Sequence, residues 1–198
     1  MDTKYLNKIF LSASIPSIDR DYSFYKTADI IAIRDAVRAL AAVVIPNAQL
    51  IWGGHPSITP LIRNVMAKMN SRLNDHVTIY QSLYFESKFP EENKDFENVI
   101  KIKAVENNRS DSIQKMRNEM IRNNNFKAAI FIGGMEGIID EYELFRQVHP
   151  KAKLLPVAST GAGSRMIFEK NNNYYDQRLL KDFAYMALFR DLLSELIS

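Results

Sequence analysis

The sequence predicts an α/β fold: a doubly wound, mostly parallel sheet with helices on both faces. Three observations carry this expectation. Short apolar runs of strand length alternate with longer segments of helical periodicity, the pattern of successive βαβ units. Some of the runs, Lys127–Ile132 above all, are apolar without alternation, as expected of strands covered on both faces. All seven glycines fall in three clusters, each just after a predicted strand. Together these describe a Rossmann-like sheet, and 198 residues suit a single domain spanning 1–198 with a sizeable core.

The elements follow in order. Lys8–Ala13 reads as the first strand. Asp29–Val44 reads as a helix whose charges after Asp29 are confined to Arg34, Asp35 and Arg38 on one narrow face. A helix so apolar elsewhere is deeply buried or shared with another subunit. Ala48–Trp52 is the second strand, with Trp52 expected in the core. Pro60–Leu73 is a helix with Thr59 as N-cap and Pro60 in the first helical position. Val77–Tyr80 and Asn98–Val105 are the third and fourth strands, and Asp111–Asn123 is a polar-faced helix. The fifth strand, Lys127–Ile132, precedes a helix over Glu136–Val148, which Pro150 stops. Lys153–Ala158 is the sixth strand, and one long helix over Asp176–Ile197 closes the chain.

Composition excludes several function classes. A net charge of +3, spread along the chain, does not make a nucleic-acid-binding face. No run approaches the roughly 18 apolar residues of a membrane span. The absence of cysteine removes disulfides, zinc–thiolate sites and cysteine nucleophiles, and it suits a reducing, cytoplasmic setting. His55, His76 and His149 are scattered and make no metal spacing, so neither a metal nor a resident cofactor is expected.

The glycines point to a ligand. Gly53 and Gly54 follow the second strand, Gly133, Gly134 and Gly137 the fifth, and Gly161 and Gly163 the sixth. Glycine lets a ligand approach the backbone, and a following helix offers unpaired N–H groups and its positive dipole end. In a doubly wound sheet all such turns share one edge, where ligands bind. The cradle expected there comprises Ser12 and Ser14 at the end of the first strand and Gly53, Gly54 and His55 after the second. Gly133, Gly134, Met135, Glu136 and Gly137 continue it, and Thr160, Gly161 and Gly163 complete it. A side chain at Gly134 is expected to block the ligand while leaving the fold largely intact. Neither the G-x-G-x-x-G dinucleotide fingerprint nor the P-loop pattern occurs, which argues against NAD-dependent redox chemistry and P-loop NTP hydrolysis. The long connection Ser14–Thr27 holds Arg20, Tyr22, Phe24 and Tyr25, residues able to pair with a phosphate or stack on a base.

The stretch Ile132–Glu141, IGGMEGIIDE, resembles the P-G-G-x-G-T-x-x-E signature of the LOG family of cytokinin-activating phosphoribohydrolases. The opening K-I-F-L-S-A-S-I-P, the Gly53–Gly54 turn and Ala158–Gly163 are similar to the wider SLOG superfamily, which includes noncatalytic nucleotide sensors of bacterial conflict systems. The resemblance implies a Rossmann-like fold and a nucleotide-derived ligand. It also implies a role for Glu141 in helping water attack the anomeric carbon or stabilising a ribosyl cation. Arg117, sixteen residues before Gly133, matches the family's partner arginine. Departures from the signature are specific: Ile132 replaces the proline, an extra residue precedes Gly137, and Ile138 replaces the threonine. A sensor that keeps the cradle and loses the chemistry fits these changes better than a phosphoribohydrolase does. The resemblance further implies a homo-oligomer and, for a sensor, a separate effector protein, as in antiviral defence.

Overall fold

The computed structural model describes residues 6–69 and 71–197. Six strands form one sheet: β1 (Lys8–Ser14), β2 (Gln49–Trp52), β3 (Val77–Ser82), β4 (Val99–Ile102), β5 (Phe126–Gly133) and β6 (Lys153–Val157). Their order is β4-β3-β2-β1-β5-β6, and every pairing is parallel. The chain winds outward from β1 to β4, then crosses back to lay β5 on the other side of β1. The strand order therefore reverses between β1 and β5, where Ser14 lies in register with Gly133. A crevice opens at such a reversal because the connections on its two sides leave in opposite directions.

The α-helices are α1 (Tyr22–Tyr25), α2 (Ile30–Val44), α3 (Thr59–Met66), α4 (Arg109–Arg122), α5 (Glu136–Val148), α6 (Ala162–Lys170), α7 (Arg178–Lys181) and α8 (Tyr185–Leu192). Helix α2 packs on β1, β2 and β5 with α3 and α8 beside it, whereas α4 and α5 pack on each other and on β1, β3, β4 and β5. Right-handed crossovers on either side of β1 require this division between two faces. The central strands are accordingly buried on both sides, and all of Ala128–Ile132 is fully buried. An aromatic cluster fills the interval between β1, β5 and α5, with the rings of Phe10 and Phe145 stacked 5.4 Å apart and that of Phe126 5.6 Å from Phe145.

The apolar character of α2 is satisfied within one subunit. Nine of its residues, from Ala32 to Val44, are buried against the sheet, α3 and α8, so burial of this helix needs no second copy. Asp29 caps it, accepting the Ala32 N–H at 2.9 Å. Thr59 is not the cap of α3. It is the first helical residue, and its buried hydroxyl instead accepts the Trp52 indole N–H at 3.2 Å. A buried indole donor would otherwise go unpaired, which explains a threonine there. Helix α3 stops at Met66 rather than Leu73.

Two further expectations are corrected. The sixth strand ends at Val157 and leads through a 3-10 turn at Ala158–Thr160 into α6, a helix that Gly161 and Gly163 at its start conceal from periodicity. The closing helix is broken in two: Asp182 is extended (φ −94°, ψ 136°), and Phe183 beside it is 59% exposed.

Candidate functional site

A cleft of about 570 Å³ opens at the carboxyl ends of β1, β2 and β3, over the β1–β5 reversal. Pockets of a few hundred Å³ at this position are the usual ligand sites of open α/β sheets. Its walls carry Ser12, Ser14, Arg20, Gly53, Gly54, His55, Arg117, Met135, Glu136, Gly137 and Glu141, all expected from the sequence.

One wall is an ion-pair network between α4 and α5. Glu141 accepts the Ser12 hydroxyl through Oε2 at 2.5 Å and the Arg117 Nε–H through Oε1 at 3.1 Å. Arg117 also donates from Nη1 to Asp140 Oδ2 at 3.0 Å. The side chains of Arg117 and Glu141 are only 13% and 15% exposed, so this pair is largely withdrawn from water. Gly137 makes room for it: a Cβ there would lie 2.6 Å from Arg117 Nη2.

The opposite wall is the β2–α3 turn. Gly54 adopts φ +63°, and a Cβ on it would meet Gln81 Nε2 at 2.5 Å. Gln81 Nε2 donates to the Gly54 carbonyl at 3.2 Å, while its Oε1 accepts from Asn93 Nδ2 at 2.6 Å. Ser57 Oγ accepts the Ile15 N–H at 3.2 Å, tying this turn to the chain leaving β1. His55 Nδ1 lies 2.9 Å from Ser57 Oγ. The crowded cleft wall, and then the Arg20 charge, push its imidazole down to about 4. His55 as a residue is nonetheless exposed, and at neutral pH its imidazole is uncharged.

The third glycine cluster does not reach the cleft. Thr160, Gly161 and Gly163 are buried, and their work is structural. Thr160 Oγ1 accepts the Gly133 N–H at 2.9 Å, and Gly163 N donates to the Gly134 carbonyl at 3.1 Å. Gly161 (φ +73°) passes so close to the Thr27 carbonyl oxygen that any Cβ would overlap it. The cluster fastens residues 15–28, the strap bearing Arg20, to the body of the fold. Thr27 Oγ1 accepts the Ala162 N–H at 3.0 Å, Asp29 N donates to Thr160 O at 3.2 Å, and Phe24 packs with Met135 and Ala162. Tyr22 is 61% exposed, and neither it nor Phe24 or Tyr25 lines the cleft.

Gly133 and Gly134 also lie beneath the cleft rather than in its wall. The Gly134 N–H donates to Ser14 O at 2.8 Å, and a Cβ on Gly134 (φ +79°) would meet Ile138 Cγ2 at 2.7 Å. A side chain at Gly134 therefore strains the fold itself, contrary to the expectation that only the ligand would be excluded. Outside the cleft, His76 Nδ1 lies 2.5 Å from Ile45 O and His149 Nε2 lies 2.8 Å from Ile121 O. Both of these histidines serve the packing of the fold.

Sequence reasoning missed Gln81, Ser82, Phe85, Lys88 and Arg109, which complete the walls. Gln81 and Ser82 carried a readable signal, because polar residues closing an apolar strand lie on the edge where ligands bind. Phe85, Lys88 and Arg109 carried none, since only the strand order brings their loops alongside the Gly54 turn.

The fold and the cleft define a Rossmann-like α/β protein with a cleft at the sheet's topological switch point. A family model described as the SLOG cluster3 family matches residues 23–193, and the chain belongs to that family. The X-ray structure of TM1055, a structural genomics target, is similar in fold, with a TM-score of 0.53 at 13% identity over 83% of this chain and 81% of that one. No curated protein matches the sequence. Among the described residues, no helix is long and apolar enough to cross a membrane.

Proposed function

We propose that this chain, as one SLOG domain, binds a nucleotide-derived small molecule in the switch-point cleft and acts as a sensor. The observation that carries the reading is the cleft itself. It is walled by two glycine-bearing strand–helix turns and lined by Arg20, Lys88, Arg109 and Arg117, a setting suited to phosphate and ribose. The state of Glu141 favours sensing over turnover. Both of its oxygens already accept hydrogen bonds, from Ser12 and Arg117, so neither is free to orient an attacking water. Ile138, in place of the motif hydroxyl, is buried beneath Gly134 and Gly163. In this reading the domain works in the cytoplasm, in a bacterial conflict or antiphage system, and signals to a separate effector protein.

The alternative reading is a phosphoribohydrolase that releases the base of a nucleoside monophosphate. Placement of the Arg117–Glu141 pair in the cleft wall favours it. Incubation with AMP separates the two. A sensor releases no adenine, and Glu141→Gln changes affinity alone. Adenine release by the wild type that falls at least about a hundredfold in Glu141→Gln would establish the enzyme.

A homo-oligomer belongs to the same reading. Its support is now a small apolar surface rather than the whole of α2: Ile31, Phe183 and Met186 are exposed near the junction of α2 with α8. Light scattering at high micromolar concentration is expected to give at least a dimer, and a clean monomer would refute it.

A further inference from the structure

The charged groups of the cleft are sorted by the strand order. Arg20 follows β1, Lys88 follows β3 and Arg109 follows β4, so these cations come from the β1–β4 half of the sheet. The carboxylates Glu136, Asp140 and Glu141 come from α5, after β5. Arg117 is the cation that reaches across, and it is already bound to Asp140 and Glu141. Arg20 and Lys88 make no side-chain ion pair or hydrogen bond among the described residues, and Arg109 rests only against the Phe85 ring at 5.9 Å. The cleft thus has a basic pole and an acidic pole on opposite sides of the switch point.

Backbone donors are divided in the same way. At the signature loop, the Gly133 and Gly134 N–H groups are taken by Thr160 Oγ1 and Ser14 O. The first turn of α5 still has open donors at Glu136 and Gly137, but it shares its space with three carboxylates. At the β2–α3 turn the N–H groups of Gly54 and His55 have no acceptor among the described residues, and α3 has no acid in its first turn. Consecutive N–H groups around a left-handed residue form an anion-binding concavity. Arg20 is close enough to influence His55 electrostatically.

We propose that the ligand's phosphate binds at the basic pole, on the Gly54–His55 turn with Arg20 and Arg109, and that its ribose-like diol faces Glu136 and Asp140 on α5. The phosphate is thereby placed away from the glycine-rich signature at Gly133–Gly137, whose resemblance would put it there. A carboxylate repels phosphate at hydrogen-bond range but accepts well from sugar hydroxyls, the role an acid plays toward a ribose at switch points of this kind.

The inference rests on the cleft being a nucleotide site, and the test separates the two ideas. Calorimetry on the full chain would use AMP, adenosine and inorganic pyrophosphate as probes, against Arg20→Gln, Arg109→Gln and Glu136→Gln. All three side chains are exposed and without ion pairs among the described residues, so the variants should melt like the wild type. Each arginine variant is expected to weaken AMP and pyrophosphate at least about tenfold, the loss of a charge-assisted hydrogen bond, and to leave adenosine unchanged. Glu136→Gln should leave pyrophosphate affinity unchanged. The proposal is overturned if the arginine variants bind AMP like the wild type, or if Glu136→Gln strengthens AMP and pyrophosphate, since the phosphate then sits at α5. Arginine-dependent pyrophosphate binding without nucleotide binding would uphold the basic pole and refute the nucleotide reading. Failure of both AMP and pyrophosphate to bind would overturn both.

Discussion

Gly161→Ala is expected to destabilise the protein by roughly 3–5 kcal/mol, although it adds one methyl group far from the cleft. Two effects combine. Gly161 sits at φ +73°, ψ −158°, a region open essentially to glycine, where an L-residue costs about 1–3 kcal/mol. The new Cβ would also overlap the Thr27 carbonyl oxygen and press on Ala28 Cα at 3.1 Å. Backbone on both sides would have to part, and the Thr27–Ala162 and Asp29–Thr160 hydrogen bonds would stretch or break. In a chain of this size, a loss of that order lowers Tm by about 10 °C. The strap over residues 15–28 should be the first segment cut in limited proteolysis. Gly53→Ala is the control. Its Cβ would meet nothing closer than Met116 Cε at 3.5 Å, an ordinary contact, and its Tm should stay near that of the wild type. Equal melting of the two variants would show that the third glycine turn does not hold the strap.

The second large effect concerns Arg117. Removing one partner of a withdrawn ion pair leaves a charge without compensation, which costs about 3–5 kcal/mol when burial is complete. Here the pair keeps some contact with water, so Arg117→Ala is expected to cost about 2–3 kcal/mol. The mechanism has a signature. Glu141 would be left ionised with only Ser12 for a partner, so neutralising it should help. The double variant Arg117→Ala, Glu141→Gln is expected to recover at least half of the loss. Asp140→Asn, at a side chain 60% exposed, should change little. Denaturant melts of the single variants and the double variant measure the coupling directly. If Arg117→Ala melts like the wild type, the network contributes nothing to the fold. If the double variant is no better than the single, the cost lies in lost packing around Gly137 rather than in charge.

The sequence and the structure agree where physics is local. All six strands were legible because short, mostly apolar runs between polar segments leave few alternatives, and α5 runs over Glu136–Val148 as its periodicity implied. The cleft's centre was legible because the ends of strands and the glycines after β2 and β5 mark the ligand edge. The remainder depended on distant contacts. Nothing around Gly161 states that Thr27 will lie against it, so a close approach of backbone to backbone reads like one of backbone to ligand. Gly134 misled in the same way, with Ile138 in the space assigned to a phosphate. The break at Asp182 follows from no proline or glycine, and the structure offers no local reason for it.

The way the cleft's charges are mounted bears on how its specificity can change. Arg20, Lys88 and Arg109, without ion pairs among the described residues, each follow a different strand, so a substitution at one can remove or relocate a positive group without disturbing the others. The carboxylates share one helix, Asp140 and Glu141 share one bridging arginine, and Glu141 also braces β1 through Ser12. A change at Arg117 or Glu141 moves several groups together and strains the core. Relatives with this topology should therefore differ most in the number and position of phosphates they accept, while their handling of the sugar stays fixed.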